Sequence, residues 1–305
     1  MRPPFRTKRR LVWLSAGIVA GLLVALHLIP WRARVPVTVL TDETIEVAGL
    51  TRHYRLVIPD SVDGRTPAPL LFAFHGVMDT TEQAARYTQL DRLAAEKGFY
   101  LVYPEGRHMS WPPSIPPENP GHVEPDLALF DALCDELAGR YNVDRKRVYA
   151  TGVSQGAAFV NLLVARRSEK LAAAASHSGW LPEPLPEQGI HARRKCPMLF
   201  ITGSEDTQVP PSTVEAACAC FQREGHPVEF CQIEGLGHGW ALEHGINDRI
   251  WRFLSQHALT STSRRTLCEN TSSPSFSRRR RSRQKTPAPC TKPAARTGRS
   301  ARPAA

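Results

Sequence analysis

Between residues 44 and 257 the chain alternates short apolar runs of β type with stretches of helical periodicity, and that alternation leaves few architectures open. Strands are expected at 44–47, 53–58, 69–74, 100–103, 147–151, 171–176, 198–203 and 228–233. Helices are expected at 82–97, 126–141, 157–168, 212–224 and 247–257. Several of the strand runs are continuously apolar, as a strand must be when helices cover both faces of its sheet. In the segment 126–141, Leu127, Phe130, Leu133 or Cys134, and Leu137 recur at three- and four-residue steps, while Asp131, Asp135 and Glu136 fall elsewhere. The expected fold is α/β, with a mostly parallel central sheet flanked by helices. The Pro-rich stretch 111–125 reads as a long irregular loop, and such loops in compact domains are often functional.

The net charge of +10 would suggest a nucleic-acid partner if it were spread along the chain. It is not. Residues 1–34 hold seven Lys or Arg and no acid, and 261–305 hold twelve with only Glu269 against them. This leaves 20 basic and 28 acidic residues in 35–260, a net of −8. The central part is acidic, and no nucleic acid is expected to bind it. The first ten residues carry five cations and precede a run at 11–29 with no acidic, Lys or Arg residue and only His27 as a weakly ionisable one. Such a segment is a signal peptide or an uncleaved signal anchor, and either places the rest outside the cytoplasm. Its 19 residues nearly match the about 20 that span a bilayer, and no small-x-small cleavage site is clear before Arg34, so the anchor is favoured. The expected division is therefore 1–34 signal or anchor, 35–260 the folded α/β domain, and 261–305 a basic, disordered tail. The tail is read as a solvated extension, with adhesion to an anionic surface as the other reading. The seven cysteines lack any paired C-x-x-C spacing, so zinc is not expected. Cys218, Cys220 and Cys231 could form one local bridge in an exported chain, or could simply be small buried hydrophobes.

The strongest motif is Gly152-Val153-Ser154-Gln155-Gly156, between the strand 147–151 and the helix 157–168. A sharp strand-to-helix turn brings backbone against backbone, which explains flanking glycines, and it lifts the serine hydroxyl above the sheet at a helix N-terminus. Serine is a poor nucleophile at neutral pH and needs a base, itself oriented by a third group. Downstream, Gly203-Ser204-Glu205-Asp206 places an acid after the strand 198–203, and Gly235-Leu236-Gly237-His238-Gly239-Trp240 places a histidine after the last strand. Taken singly, Asp206 could be a turn residue and His238 an ordinary loop histidine. Together they complete a Ser154, Asp206, His238 triad in chain order. Acyl transfer also needs N–H donors for the oxyanion, expected from Gln155, directly after the serine, and from Val77 in the loop His75-Gly76-Val77. His75 itself is expected to be structural. Trp111, Trp180 and Trp240 could line an apolar or aromatic acyl site, or could pack in the core or at its rim.

The ordered set Phe72-Ala73-Phe74-His75-Gly76, Tyr103-Pro104-Glu105-Gly106, 143–149, the serine elbow, the Asp206 turn and the His238 loop resembles the extracellular polyhydroxybutyrate depolymerase and feruloyl esterase-like family of α/β-hydrolases. The resemblance covers about 45–257. It implies an α/β-hydrolase fold and a secreted serine esterase acting on polyester, feruloyl or acetyl esters without a cofactor. The chain departs from the family at Gln155 and Ala157, and in the short loop after Gly76. Two other readings stay open: a serine peptidase of the prolyl-oligopeptidase type, and a catalytically silent surface-binding protein. The substrate is expected to be an ester, polymeric or small, with a membrane partner only if the N-terminal segment is retained.

Overall fold

Strands with apolar side chains on both faces need a helical layer on each side, and the fold supplies two. The computed structural model describes residues 35–260, and the segments expected to be a signal or anchor and a basic, disordered tail lie outside the described residues. The strands are β1 (Val37–Val47), β2 (Leu50–Pro59), β3 (Ala68–Phe74), β4 (Tyr100–Pro104), β5 (Val143–Val153), β6 (Ala173–His177), β7 (Met198–Gly203) and β8 (Val228–Ile233). They form one sheet in the order β1-β2-β4-β3-β5-β6-β7-β8. The pairs β1–β2 and β2–β4 are antiparallel and every other pair is parallel. The helices are α1 (Thr81–Thr88), α2 (Leu90–Lys97), α3 (Glu124–Arg140), α4 (Gln155–Arg167), α5 (Leu185–Gln188), α6 (Pro211–Arg223) and α7 (Ile246–Leu254).

Strand β3 shows how the two layers are held. Leu70, Phe72 and Phe74 enter the core shared with α3, α4 and α6, while Leu71 and Ala73 enter the core shared with α1, α2 and α7. This is the two-residue period of a strand with no solvent face. Each fully buried Leu or Phe of this kind stabilises the fold by about 1.5–3 kcal/mol.

Three differences from the sequence reading have physical causes. Strand β1 begins at Val37 rather than 44, because this half-exposed edge strand is held by pairing with β2 and not by an apolar pattern. The hairpin turn lies at Ala48 and Gly49, both at positive φ, which matches the twist of paired strands. The single helix expected at 82–97 is two helices, broken at Gln89 in the left-handed region (φ 52°). A tertiary bond accommodates the break: Asn247 Nδ2 donates to Thr88 O at 2.7 Å, satisfying a carbonyl at the end of α1. Finally, the five cysteines among the described residues are unbonded thiols. Cys218 and Cys220 sit two apart on α6, so they leave that helix in different directions, and Cys218 packs into the core. The local bridge does not form. No helix among the described residues is long and apolar enough to cross a membrane.

Candidate active site

The elbow turns on two close approaches. A Cβ on Gly152 would lie 2.6 Å from Gly156 C, and one on Gly156 would lie 2.3 Å from both Phe74 O and His75 O. Only glycine lets β5 hand over to α4 this closely to the end of β3. Between them Ser154 is held at φ 54°, ψ −123°, a sparsely populated conformation costing about 1–3 kcal/mol. Its N–H donates to His177 O at 2.9 Å, and its carbonyl accepts from Ala158 N at 3.0 Å. The half-buried side chain thus stands at the N-terminus of α4, where the helix dipole favours negative charge.

Two loops at the same sheet edge carry the other members. Asp206 follows β7, with its side chain fully buried; Oδ1 accepts from Gln208 N at 3.0 Å and Val209 N at 2.9 Å. His238 follows β8 and places Nδ1 at 2.8 Å from Asp206 Oδ2 and 3.0 Å from Oδ1. Burial alone would raise the Asp206 pKa. Hydrogen bonds from Val209, His238 and Ser178 outweigh that and hold it below the ordinary carboxylate value. An ionised carboxylate only accepts, so Nδ1 carries the proton and Nε2 is left as the basic nitrogen. Ser154 and His238 line one cleft of about 320 Å³, together with Val77 and Trp240.

Of the two expected oxyanion donors, Gln155 opens α4, so its N–H has no acceptor inside the helix. Val77 is exposed at the cleft wall. The Gln155 side chain turns away to brace the loop after β4, with Oε1 accepting from Ser110 Oγ and Trp111 N, both at 3.0 Å. Replacing Gln155 with Leu should therefore destabilise the fold by about 1–3 kcal/mol, because the buried Trp111 N–H loses its acceptor. The backbone N–H at 155 survives, so kcat should change by less than about tenfold, a far smaller loss than a lost oxyanion donor brings. A urea unfolding midpoint and a kcat measured on the same sample check both parts.

His75 spends its ring on the backbone. Nδ1–H donates to Gly76 O at 2.6 Å, and Nε2 accepts from Gly106 N at 3.0 Å. Burial pushes its pKa down, which fits a neutral structural histidine. The tryptophans separate. Trp240 lines the cleft, stacked on His177 with centroids 5.3 Å apart and donating to Asn247 Oδ1 at 2.8 Å. Trp111 does not line the cleft: it is 1% exposed, stacks on Phe159 at 4.8 Å and donates through Nε1 to His75 O. Its ring fills the core behind the site. Trp180 is also outside the cleft lining; its Nε1 donates to Pro113 O at 3.0 Å.

The cleft also contains groups that the sequence motifs did not single out. Asp79, Tyr87 and Gln208 line it. Gln208 stands two residues after Asp206 in the same turn, a proximity visible in the sequence. Tyr87 comes from α1, and only the packing of that helix beside the loop after β3 reveals it. His177 is buried behind Trp240, and its Nε2 has no hydrogen-bond partner among the described residues. Burial, and then the nearby His238, push its pKa down to about 4. An unfolded histidine titrates near 6.5, so in this window the unfolded chain binds the extra proton. Stability is full above about pH 6.5 and should fall by about 3 kcal/mol by pH 4 from His177 alone. Urea midpoints at pH 7 and 4.5 should converge in His177→Phe relative to the wild type.

Residues 118–258 match the Dienelactone hydrolase family model. Among curated proteins, the chain is 34% identical over 178 residues to NocK of Nocardia uniformis subsp. tsuyamanensis, which is named as an esterase; the match covers 56% of this chain and 49% of that protein. It is 30% identical over 124 residues to feruloyl esterase B of Neurospora crassa, covering 40% of this chain and 42% of the relative. The chain therefore spans about half or less of the length of these relatives. A solved ferulic acid esterase superposes with a TM-score of 0.57 over 72% of this chain and 98% of its own, at 18% identity, a likeness of fold. The sheet order and these matches agree: the chain has the α/β-hydrolase fold, its residues 118–258 match the dienelactone hydrolase family model, and the relatives it resembles are named esterases.

Proposed function

We propose that the chain is an exported serine esterase in which residues 35–260 form the catalytic domain. Ser154 Oγ attacks the ester carbonyl as His238 Nε2 takes its proton. The Gln155 and Val77 amides hold the oxyanion, and His238 returns the proton to the departing alcohol. Water, deprotonated by the same nitrogen, then attacks the acyl-enzyme; the acid leaves and Ser154 regains its hydrogen. Asp206 keeps the imidazole in the right tautomer and stabilises the imidazolium. The observation that carries this reading is the 2.8 Å contact from His238 Nδ1 to a buried Asp206, in a cleft shared with a serine on a positive-φ elbow.

Polyhydroxyalkanoate, feruloyl and acetyl esters are the substrate classes in view, the last two matching names among the relatives. Export rests on the basic and apolar N-terminal segment, which would also hold the protein to a membrane if uncleaved. The test is hydrolysis of 4-nitrophenyl butyrate by the full chain, with mass spectrometry after exposure to a fluorophosphonate. Turnover and a single adduct on the peptide carrying Ser154 are expected. Absence of both from folded protein would overturn the proposal.

A further inference from the structure

The reaction above fixes where the carbonyl sits but says nothing of what surrounds the rest of the substrate. Among the described residues lining the cleft there is no Lys or Arg, and one carboxylate, Asp79, stands in its wall. That carboxylate is placed beside the oxyanion loop. A point one Cβ bond from Gly76 lies 3.0 Å from Asp79 Oδ2 and 3.9 Å from Ser154 Cβ, so Asp79 and the serine flank the same backbone. Oδ2 is already engaged, accepting from Gly76 N at 3.2 Å and from the Tyr87 hydroxyl at 3.2 Å. Oδ1 has no donor among the described residues, and the side chain is half-buried at the cleft.

We infer that Asp79 determines specificity in this site: its carboxylate excludes esters whose acyl part carries a negative charge and favours uncharged or cationic ones, with Oδ1 free to accept from a substrate hydroxyl or ammonium. The inference rests on the esterase reading. The physical basis is that a like charge a few ångströms away, in a cleft without a compensating cation, is weakly screened by salt and raises the cost of binding an anion. The buried carboxylate of Asp206 adds no attraction for an anion, because it is paired with His238.

Three methyl esters of similar length test it: methyl pentanoate, methyl 5-aminopentanoate and monomethyl glutarate, followed by acid release at neutral pH with the full chain. The wild type should hydrolyse the anionic ester at least about tenfold more slowly in kcat/KM than the neutral one, equivalent to about 1.4 kcal/mol. The cationic ester should be at least as fast as the neutral one. Asp79→Asn keeps an acceptor for Gly76 N and Tyr87 while removing the charge, and should close most of the gap between the charged pair. Asp79→Ser serves the same purpose if the asparagine variant does not fold. Equal rates for anionic and neutral esters in the wild type, or an unchanged order in a folded variant, would overturn the inference while leaving the esterase intact. Failure of the wild type to hydrolyse any of the three or 4-nitrophenyl butyrate would instead remove the esterase reading, and this inference with it, whereas turnover of 4-nitrophenyl butyrate alone would overturn only the inference.

Discussion

Ser154→Ala is expected to lower kcat for ester hydrolysis by about 10⁴- to 10⁶-fold, with the protein still folded. The nucleophile is the only atom removed, and its Cβ remains where the elbow already accommodates it. The left-handed backbone at φ 54° is as unfavourable for Ala as for Ser, so unfolding midpoints of the two should nearly coincide. Ser154→Gly would be equally inactive but should be the more stable variant by about 1 kcal/mol, because glycine relieves the strain of that conformation. The pair separates two contributions of one residue: the hydroxyl to the chemistry and the Cβ to the strain. If Ser154→Ala kept hydrolysis within about tenfold of the wild type, the nucleophile would lie elsewhere.

The elbow was legible because a strained turn leaves a mark in the residues that permit it. Gly152 and Gly156 are glycines for a reason that acts over a few residues, and the apolar runs of β3 and β7 mark burial on both faces just as locally. The order of Ser154, Asp206 and His238 followed from placing each residue just past a strand end. Less legible were features that depend on distant partners. Nothing near Gln89 announces a helix break, since the carbonyl it exposes is satisfied by Asn247, far along the chain. Trp111 opens a Pro-rich loop and could have lined an acyl site or packed, and three aromatic neighbours and the His75 carbonyl draw it inward. Asp79 and Tyr87 gain meaning only when α1 packs beside the loop after β3.

Asp126 is the largest such omission, and its removal should have the largest effect on stability. The periodicity places it at the start of a helix, where an acid is ordinary. Its side chain is instead almost fully buried between two arginines from other parts of the chain. Arg52 Nη2 on β2 donates to Oδ1 at 2.9 Å, and Arg107 Nε and Nη2, from the loop after β4, donate to Oδ2 at 3.1 and 2.8 Å. Arg52 also ties Glu105 O, and Arg107 ties His122 O, so both ends of the loop between β4 and α3 are fastened at one point. That loop supports the site: Gly106 N–H donates to His75, and Met109 O accepts from Met78 N, next to Val77.

Asp126→Leu should therefore cost about 3–5 kcal/mol, because a buried Arg52 is left without a counter-charge. In a domain of this size that lowers Tm by roughly 10 °C, and kcat should fall before the protein unfolds as the loop loosens around Val77. Arg52 and Arg107 differ in what they can do next. The Arg107 side chain is 28% exposed and can turn to water, whereas Arg52, at 5%, cannot. The double variant Arg52→Met/Asp126→Leu should consequently recover much of the stability lost by Asp126→Leu alone, since exchanging a buried pair for apolar groups is often nearly neutral. Its kcat should recover less, because neither Met nor Leu restores the bonds to Glu105 O and Arg107 that hold the loop. A cycle in which stability and kcat recovered together would mean that packing, and not the fastening of the loop, sets the position of the proposed oxyanion donor at Val77.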